Sequence, residues 1–337
     1  MLSAGGVAEG GEGRPVSAIA VVAIGGNSLA RGGRVDIDTQ RAALRETAAH
    51  VAGFVTGGWG IVLTHGNGPQ VGLNLLRNEM ASAVAPPAPL DVLGAETQGA
   101  IGYLVQQAFA EEFRRRGIGK AVITVVTQVI VDAADPAFVR PTKFIGPAYT
   151  KEEAARYARD RGWAVAEDVG QGWRRVVPSP LPRGIVELRA IRSLVTRGIV
   201  VIAAGGGGIP VVRDHDGSLR GVEAVIDKDR VASLLARDLG AARLIISTAV
   251  EKVALHYRSP GERPLDRLTV REAREYLAEG HFPPGSMGPK IQAAVEFLEG
   301  GGREVIITAP EALTRAMEGR AGTRIIADAE AARPRRG

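Results

Sequence analysis

The stretch SAIAVVAIGGN, residues 17–27, sets the pattern on which the fold prediction depends. A β-branched apolar run passes directly into glycine and asparagine, and residues 39–54 then space their apolar positions as a helix does. The same order returns in GIVLTHGNGPQ (60–70) and IVVIAAGGGGIP (199–210), and further apolar runs occur at 121–131, 242–250 and 304–310. Strands that are apolar throughout and alternate with helices indicate a parallel sheet buried on both faces. The sequence therefore predicts an α/β fold with a mostly parallel sheet.

The composition is that of an ordinary soluble domain, with 337 residues, 45% hydrophobic and 23% charged. There is no cysteine, so disulfide and thiolate chemistry are excluded. The net charge of +5 comes from interspersed acidic and basic residues, which does not favour nucleic-acid binding. The first residues lack a signal-peptide pattern, and no apolar run is long enough to span a membrane. We expect a cytoplasmic protein that binds neither nucleic acid nor a membrane.

The chain is predicted to form one large domain over residues 18–330, between a disordered tail at 1–17 and a basic tail at 331–337. Residues 133–184 interrupt the α/β pattern with six prolines and two of the three tryptophans. A short helix is expected at 151–161, among hairpin and loop. A long insertion with its own aromatic residues is typical of a small subdomain. We expect a lid, and the alternative is a fixed element for stability or dimerisation.

Three glycine-rich loops each follow a predicted strand, so parallel strands would bring them to the same edge of the sheet. Glycine permits positive φ, which lets several backbone N–H groups converge on one anion. The alternative is a set of tight turns without a ligand. Neither a Walker A loop nor a Rossmann loop after the first strand occurs. The predicted phosphate-binding residues are Gly25, Gly26, Asn27, Gly66, Asn67, Gly68, Gly205, Gly206, Gly207 and Gly208.

Lysine is rare in this chain, with six among the 42 basic residues. Lys228 lies between two aspartates in GVEAVIDKD, while Lys143 and Lys290 lie in turns rich in glycine and proline. A lysine ammonium can follow a moving phosphoryl group, whereas arginine holds a fixed bidentate geometry. Three surface ion pairs are the alternative interpretation. His65, in the second glycine loop, is expected to make a structural hydrogen bond rather than to act as a base.

The loops in this order resemble the amino acid kinase family and, within it, the carbamate kinases. The resemblance covers about residues 18–328 and is carried by AIGGN at 23–27, THGNGPQVG at 64–72, LDVLGAETQGAIGY at 90–103, DPAFVRPTKFIGP at 135–147, GWRRVVPSPLP at 172–182, AAGGGGIPV at 203–211, GVEAVIDKD at 221–229 and EGHFPPGSMGPK at 279–290. The combination of PTK, GWRRVVPSP and GSMGPK is specific to carbamate kinases, whereas GGN is shared by many relatives. The main departure is Ala249, where many relatives have Asp or Gly.

The resemblance implies reversible phosphoryl transfer between ATP and carbamate, giving ADP and carbamoyl phosphate, with Mg²⁺ on the nucleotide. It also implies a three-layer α/β/α fold around a mainly parallel sheet of about eight strands, a protruding subdomain and a homodimer. The expected direction is ATP synthesis in arginine or related catabolism.

The implied catalytic residues are Lys143, Lys228, Asp229 and Lys290, and Asp229 is expected to hold the lysines in place. The implied nucleotide-binding residues are Asp227, Lys228, Ala249, Val250, Met287 and Lys290. Asp227 is expected to serve the nucleotide or Mg²⁺, and no protein-bound metal site is expected.

Other functions remain open at this point. A kinase of another small acid, such as N-acetylglutamate, uridylate or fosfomycin, would share most of these motifs. A non-catalytic nucleotide sensor on the same fold is a further alternative, although a sensor would not need all three lysines. Nucleic-acid binding is the third, and it would show affinity that falls steeply with salt.

Overall fold

A computed structural model of the chain describes residues 16–25, 29 and 36–328. Gly26, Asn27 and the predicted C-terminal tail lie outside the described residues, as does the predicted N-terminal tail before Val16. No helix in the described ranges combines the length and apolar character that crossing a bilayer requires.

The elements alternate between strand and helix over most of the chain. The strands are β1 (Ala18–Ile24), β2 (Trp59–His65), β3 (Val122–Thr124), β4 (Gln128–Val131), β5 (Lys143–Tyr149), β6 (Val165–Asp168), β7 (Gly172–Val177), β8 (Pro182–Ile185), β9 (Val200–Ile202), β10 (Ile209–Arg213), β11 (Leu219–Gly221), β12 (Arg243–Ser247), β13 (Val253–Leu255), β14 (Arg263–Leu265), β15 (Arg267–Thr269), β16 (Glu304–Thr308) and β17 (Thr323–Ile326). The helices are α1 (Ile37–Thr56), α2 (Gly68–Ala81), α3 (Leu90–Arg116), α4 (Lys151–Arg161), α5 (Leu188–Thr196), α6 (Lys228–Leu239), α7 (Val270–Ala278), α8 (Met287–Glu299) and α9 (Leu313–Met317).

The central sheet has eight strands in the order β15-β17-β16-β12-β1-β2-β9-β3. The strands from β16 to β3 run parallel, and the direction reverses only between β16 and β17. The predicted mainly parallel sheet of about eight strands is therefore confirmed. A smaller sheet, β11-β10-β4-β8, lies beside it.

The two faces of the central sheet pack against different helices. Ile19 and Val21 of β1 belong to a core cluster that includes α5, α6 and α8, whereas Ala20 and Val22 belong to a second cluster with α1, α3 and α9. Successive side chains of a strand point to opposite faces, so an uninterrupted apolar run is buried on both. This produces the predicted three-layer α/β/α arrangement.

The predicted strand at 121–131 is wrong as a single element. It divides into β3 in the central sheet and β4 in the smaller sheet. Between them, the Thr127 N–H donates to Gln98 Oε1 at 2.8 Å, and the Thr127 hydroxyl accepts from the Ala204 N–H at 2.9 Å. Because these side-chain bonds replace the ladder bonds of a strand, the chain leaves one sheet and enters the next.

The insertion contains a three-stranded antiparallel sheet, β5-β7-β6, with α4 packed beside it. The predicted helix at 151–161 is confirmed with those bounds, and Thr150 and Glu153 form a capping box at its start. β8 begins at Pro182 and pairs with β4 of the smaller sheet. The sheet β5-β7-β6, called the small sheet of the insertion below, thus ends before residue 184, the predicted end of the insertion. The last residues of the predicted range belong to β8 and pair with β4 instead.

Candidate active site

A cavity of about 500 Å³ opens beside the carboxyl ends of β1, β2 and β12. All three predicted glycine loops contribute to its wall, and so do the three lysines singled out from the sequence. The predicted residues that line it are Gly25, Gly66, Asn67, Gly68, Lys143, Gly206, Asp227, Lys228, Asp229, Ala249 and Lys290. The parallel topology explains why segments so far apart in the chain meet here.

The two aspartates that flank Lys228 each bind one of the other two lysines. Lys143 Nζ donates to Asp227 Oδ2 at 2.9 Å, and Lys290 Nζ donates to Asp229 Oδ2 at 3.0 Å. Lys290 also donates to the Ser286 carbonyl at 3.3 Å. The arrangement corrects one expectation, because Asp229 holds only Lys290 and it is Asp227 that holds Lys143.

Lys228 is the lysine of this group that remains without a partner. Within the described residues, its ammonium forms no hydrogen bond or ion pair, although Asp227 and Asp229 stay close enough to act on it electrostatically. Burial lowers the pKa of Lys228 below its usual range, the aspartates oppose that shift, and Lys290 and Lys143 add to it. Lys228 is half-buried on the cavity wall, and a cation that is partly withdrawn from water without a hydrogen-bonded partner is stabilised by an anionic ligand. Lys228 is therefore placed to receive an anion.

Asp227 also caps α6, the helix that begins at Lys228. Its Oδ1 accepts from the backbone N–H groups of Asp229 at 3.0 Å and Arg230 at 3.4 Å. Burial alone would raise the pKa of this carboxyl, but Lys143 and the two backbone N–H groups outweigh it and hold the pKa below its usual value. The side chain therefore stays ionised, and the positive end of the α6 dipole adds to the field of the lysines.

The close packing of the loop at 205–208 requires its glycines. Gly206, Gly207 and Gly208 all have positive φ, between 69° and 92°. A Cβ on Gly206 would overlap the Asn67 side chain, and one on Gly207 would overlap the Ile226 carbonyl. The backbone of this loop thus lies directly against the strand end that carries Asn67 and against the segment that leads into Asp227.

His65 is buried and makes the structural hydrogen bond expected from the sequence. Its Nδ1–H donates to the Gly66 carbonyl at 3.0 Å. Burial lowers the pKa of His65 to about 4, the bond to Gly66 opposes this shift, and the charge of Lys228 adds to it. The imidazole is neutral at physiological pH and does not line the cavity.

Five predicted site residues lie away from the cavity wall. They are Gly205, Gly207, Gly208, Val250 and Met287. Met287 packs against the core cluster of α6 and α8, and Gly205 lies against the His65 ring. Gly26 and Asn27 lie outside the described residues. The role predicted for each of these residues stays a prediction.

The family follows from comparison with known proteins. The profile described as the amino acid kinase family matches residues 18–309. The chain belongs to the amino acid kinase family.

Relatives within the family are similar along nearly their whole length. The carbamate kinase of Pyrococcus furiosus is 48% identical over 91% of this chain and 98% of its own. The carbamate kinase-like protein YahI of Escherichia coli is 50% identical over the same shares of the two chains. The structure of Giardia lamblia carbamate kinase bound to AMP-PNP has a TM-score of 0.86 and 42% identity, and the match covers 92% of this chain and 99% of that one.

Several cavity-lining residues were not singled out from the sequence. Arg174 is the clearest, because its guanidinium binds Asp168 at 2.8 Å and the Gly146 carbonyl at 3.0 Å while it lines the cavity beside Lys143. The GWRRVVPSP motif did contain this residue. Much of the remaining wall comes from other residues of the quoted motifs, such as Phe144, Val225 and Ser286, whereas no motif marked the lining positions on α1 or at Glu311.

Proposed function

We propose that the chain catalyses reversible phosphoryl transfer between ATP and carbamate, giving ADP and carbamoyl phosphate. The observation that carries the proposal is Lys228, a half-buried lysine on the cavity wall whose ammonium has no hydrogen-bond or ion-pair partner among the described residues and which lies between two aspartates that already bind Lys143 and Lys290. The relatives named carbamate kinase at 48% identity support this substrate over another small acid.

Phosphoryl transfer needs neutralisation of charge along an in-line path and little covalent chemistry. Carbamate is an anionic nucleophile, so it requires no general base. The neutral, buried His65 agrees with this, because it is turned to the Gly66 carbonyl and away from the cavity. The obstacle is the repulsion between two anions, and three ammonium groups around one cavity oppose that repulsion.

The roles of the lysines differ with their partners. Lys228 has a flexible stem and no hydrogen-bond partner in the described residues, so it can follow the phosphoryl group between donor and acceptor. Lys290 is held by Asp229 on α6, whereas Lys143 reaches the cavity from the first residue of β5 in the insertion. The insertion thus contributes Lys143 and Arg174 to a site whose other charged residues belong to the large domain.

The glycine loops would serve the phosphate and carbamate groups. Gly66, Gly68 and Gly206 line the cavity, and the N–H groups of such loops suit anionic oxygens. Ala249 lines the same cavity, in agreement with a place near the nucleotide. Its methyl side chain would offer the nucleotide no hydrogen bond.

Mg²⁺ would enter with the nucleotide. Mg²⁺ in nucleotide sites is commonly held by one or two carboxylates together with phosphate oxygens. Asp227 was expected to serve the nucleotide or Mg²⁺, but both of its oxygens already accept hydrogen bonds, whereas Asp229 Oδ1 is buried without one and is the carboxylate oxygen that would hold the ion. When bound, Mg²⁺ supplies further neutralisation of phosphate charge.

The setting of the reaction belongs to the same proposal. We infer a cytoplasmic homodimer that forms ATP from ADP and carbamoyl phosphate during the catabolism of arginine or related compounds. The resemblance of the motifs to carbamate kinases supports this inference.

The test is an assay of ATP formation from ADP, Mg²⁺ and carbamoyl phosphate, with acetyl phosphate as the competing donor. We expect ATP to form much faster from carbamoyl phosphate. Protein carrying Lys228→Ala, purified in parallel, controls for contaminating kinases. Faster phosphorylation of N-acetylglutamate or uridylate than of carbamate would show that the substrate is wrong, and nucleotide binding without turnover would indicate a sensor.

A further inference from the structure

The segment 223–227 runs along the small sheet of the insertion and contacts it at alternate residues. The three contacts, in order, are Glu223 Oε2 with Arg175 Nη2 at 3.0 Å, the Val225 N–H with the Pro178 carbonyl at 2.9 Å, and Asp227 with Lys143 at 2.9 Å. The last of these is a contact of the active site, and the first lies outside it.

Glu223 is also fixed to the large domain. Its Oε1 accepts from the Leu90 N–H at 2.9 Å, at the start of α3. The residue before that helix is Pro89, which provides no side-chain cap, so Glu223 performs this function from elsewhere in the chain. The positive end of the long α3 dipole also favours a carboxylate at this place. Glu223 therefore joins a rigid helix to the insertion.

The position of Arg175 determines that of Lys143 through the strand register. Arg175 on β7 pairs with Ile145 on β5, and two residues further along the same ladder Val177 pairs with Lys143. Arg175 also lies over the Trp163 ring at 4.9 Å, which restricts its guanidinium. A contact that fixes the position of Arg175 thus also fixes β5, the strand that begins with Lys143.

Stability alone does not explain this ion pair. The Glu223 side chain is 53% exposed, and exposed pairs add little to the free energy of unfolding. The pair does, however, connect the α3 N-terminus to the hairpin that carries a charged residue of the active site. We propose that Glu223 is a positioning residue that, through Arg175, fixes the position of the Lys143 side chain at the cavity.

A second ion pair between the insertion and the large domain provides a matched control. Arg161, the last residue of α4, pairs with Glu79 on α2. This pair also attaches the insertion, but neither residue belongs to the β5–β7 ladder. Glu79→Gln therefore removes an ion pair between the insertion and the large domain but leaves the Glu223–Arg175 pair intact. Glu223→Gln removes the ion pair that holds Arg175 and, through the ladder, Lys143.

The first test measures turnover, and it rests on the proposed function. Glu223→Gln keeps a side-chain oxygen for the Leu90 N–H but loses the charge that holds Arg175. We expect kcat for ATP formation to fall about fivefold, with the KM for ADP within about twofold, while Glu79→Gln stays near wild type. In a Lys143→Ala background, Glu223→Gln should add less than about twofold. The proposal would be overturned if the effects of Glu223→Gln and Lys143→Ala on kcat were fully additive, or if Glu79→Gln lowered kcat as much as Glu223→Gln does.

The second test needs no activity, so it separates failure of this inference from failure of the proposed reaction. The rate of Lys143 acetylation by an amine-reactive ester is measured by mass spectrometry, with the exposed Lys151 as internal reference. We expect Glu223→Gln to raise the labelling of Lys143 relative to Lys151 about fivefold, because the ammonium leaves Asp227 more often. Glu79→Gln should leave the ratio unchanged. An unchanged ratio in Glu223→Gln, or an equal rise in both variants, means that Glu223 does not position Lys143.

Discussion

Two ion pairs on either side of Lys228 are almost equal in length and unequal in burial. Lys290 and Asp229 are 3.0 Å apart with side chains only 10% and 4% exposed, whereas Lys143 and Asp227 are 2.9 Å apart with side chains 37% and 18% exposed. The first pair lies between α6 and α8 inside the large domain, and the second joins that domain to the insertion. The same Asp-Lys-Asp pattern thus gives one pair buried within the large domain and one more exposed pair where that domain meets the insertion.

Substitution of each lysine tests whether the more buried pair contributes more to the free energy of unfolding. Lys290→Met leaves Asp229 buried without its partner, so we expect the free energy of unfolding to fall by about 3–5 kcal/mol. The same substitution at Lys143 leaves a more exposed carboxylate, and we expect a loss below about 1 kcal/mol. Urea unfolding followed by tryptophan fluorescence measures both variants. Equal losses would show that the two pairs are equivalent.

Lys228 lies between the pairs and should behave differently from both lysines. Lys228→Ala should lower turnover by about 10²–10³-fold, or roughly 3–4 kcal/mol of barrier, because a preorganised charge is lost. Its free energy of unfolding should not decrease, because the substitution removes a half-buried charge that has no hydrogen-bond or ion-pair partner in the described residues. Lys228→Arg should also turn over poorly, because a planar guanidinium cannot follow the phosphoryl group.

Assays of ATP formation and urea unfolding of the same preparations check this prediction. Near-normal turnover in Lys228→Arg would show that a distant positive charge suffices. A large loss of stability in Lys228→Ala would assign the residue to structure.

The buried side of the site should also respond to acid through His65. Its pKa is about 4 in the folded protein and about 6.5 when unfolded, so the unfolded chain binds more protons between these values. The contribution to stability is therefore fully present above about pH 6.5 and is lost as the pH falls toward 4. We expect a loss of about 1 kcal/mol between pH 6.5 and about pH 5.5.

His65→Gln cannot titrate, so its unfolding free energy should lack this part of the pH dependence. Urea unfolding of both proteins at the two pH values makes the comparison. The same pH dependence in both would mean that His65 is not neutral in the folded protein.

Much of the fold could be predicted because its strands are apolar on both faces. The run at residues 18–24 could only be a buried strand, and the glycine loops after such runs had to meet at one sheet edge. The division of 121–131 could not be predicted, because both halves are equally apolar. The break depends on Gln98, a residue of α3 whose contact with Thr127 does not appear in the local sequence.

The sequence indicated which residues form the site but not which of them bind one another. The rarity of lysine indicated Lys143, Lys228 and Lys290, and all three line the cavity. Which aspartate binds which lysine depends on contacts across 84 and 61 residues, and local patterns carry no information at that distance. Arg174 was missed for a related reason, because neighbouring Arg175 has the same local motif yet binds Glu223 outside the cavity.

Asp227 links the insertion to the secondary structure of the large domain. One of its oxygens accepts from the first N–H groups of α6, and the other accepts from Lys143. When Lys143 moves away, the same carboxylate loses a counterion at the start of that helix, so fraying of the first turn and displacement of the insertion are coupled. Such coupling is reciprocal, and each event changes the equilibrium of the other by the same free energy. Hydrogen exchange at the Asp229 and Arg230 amides therefore reports the position of the insertion.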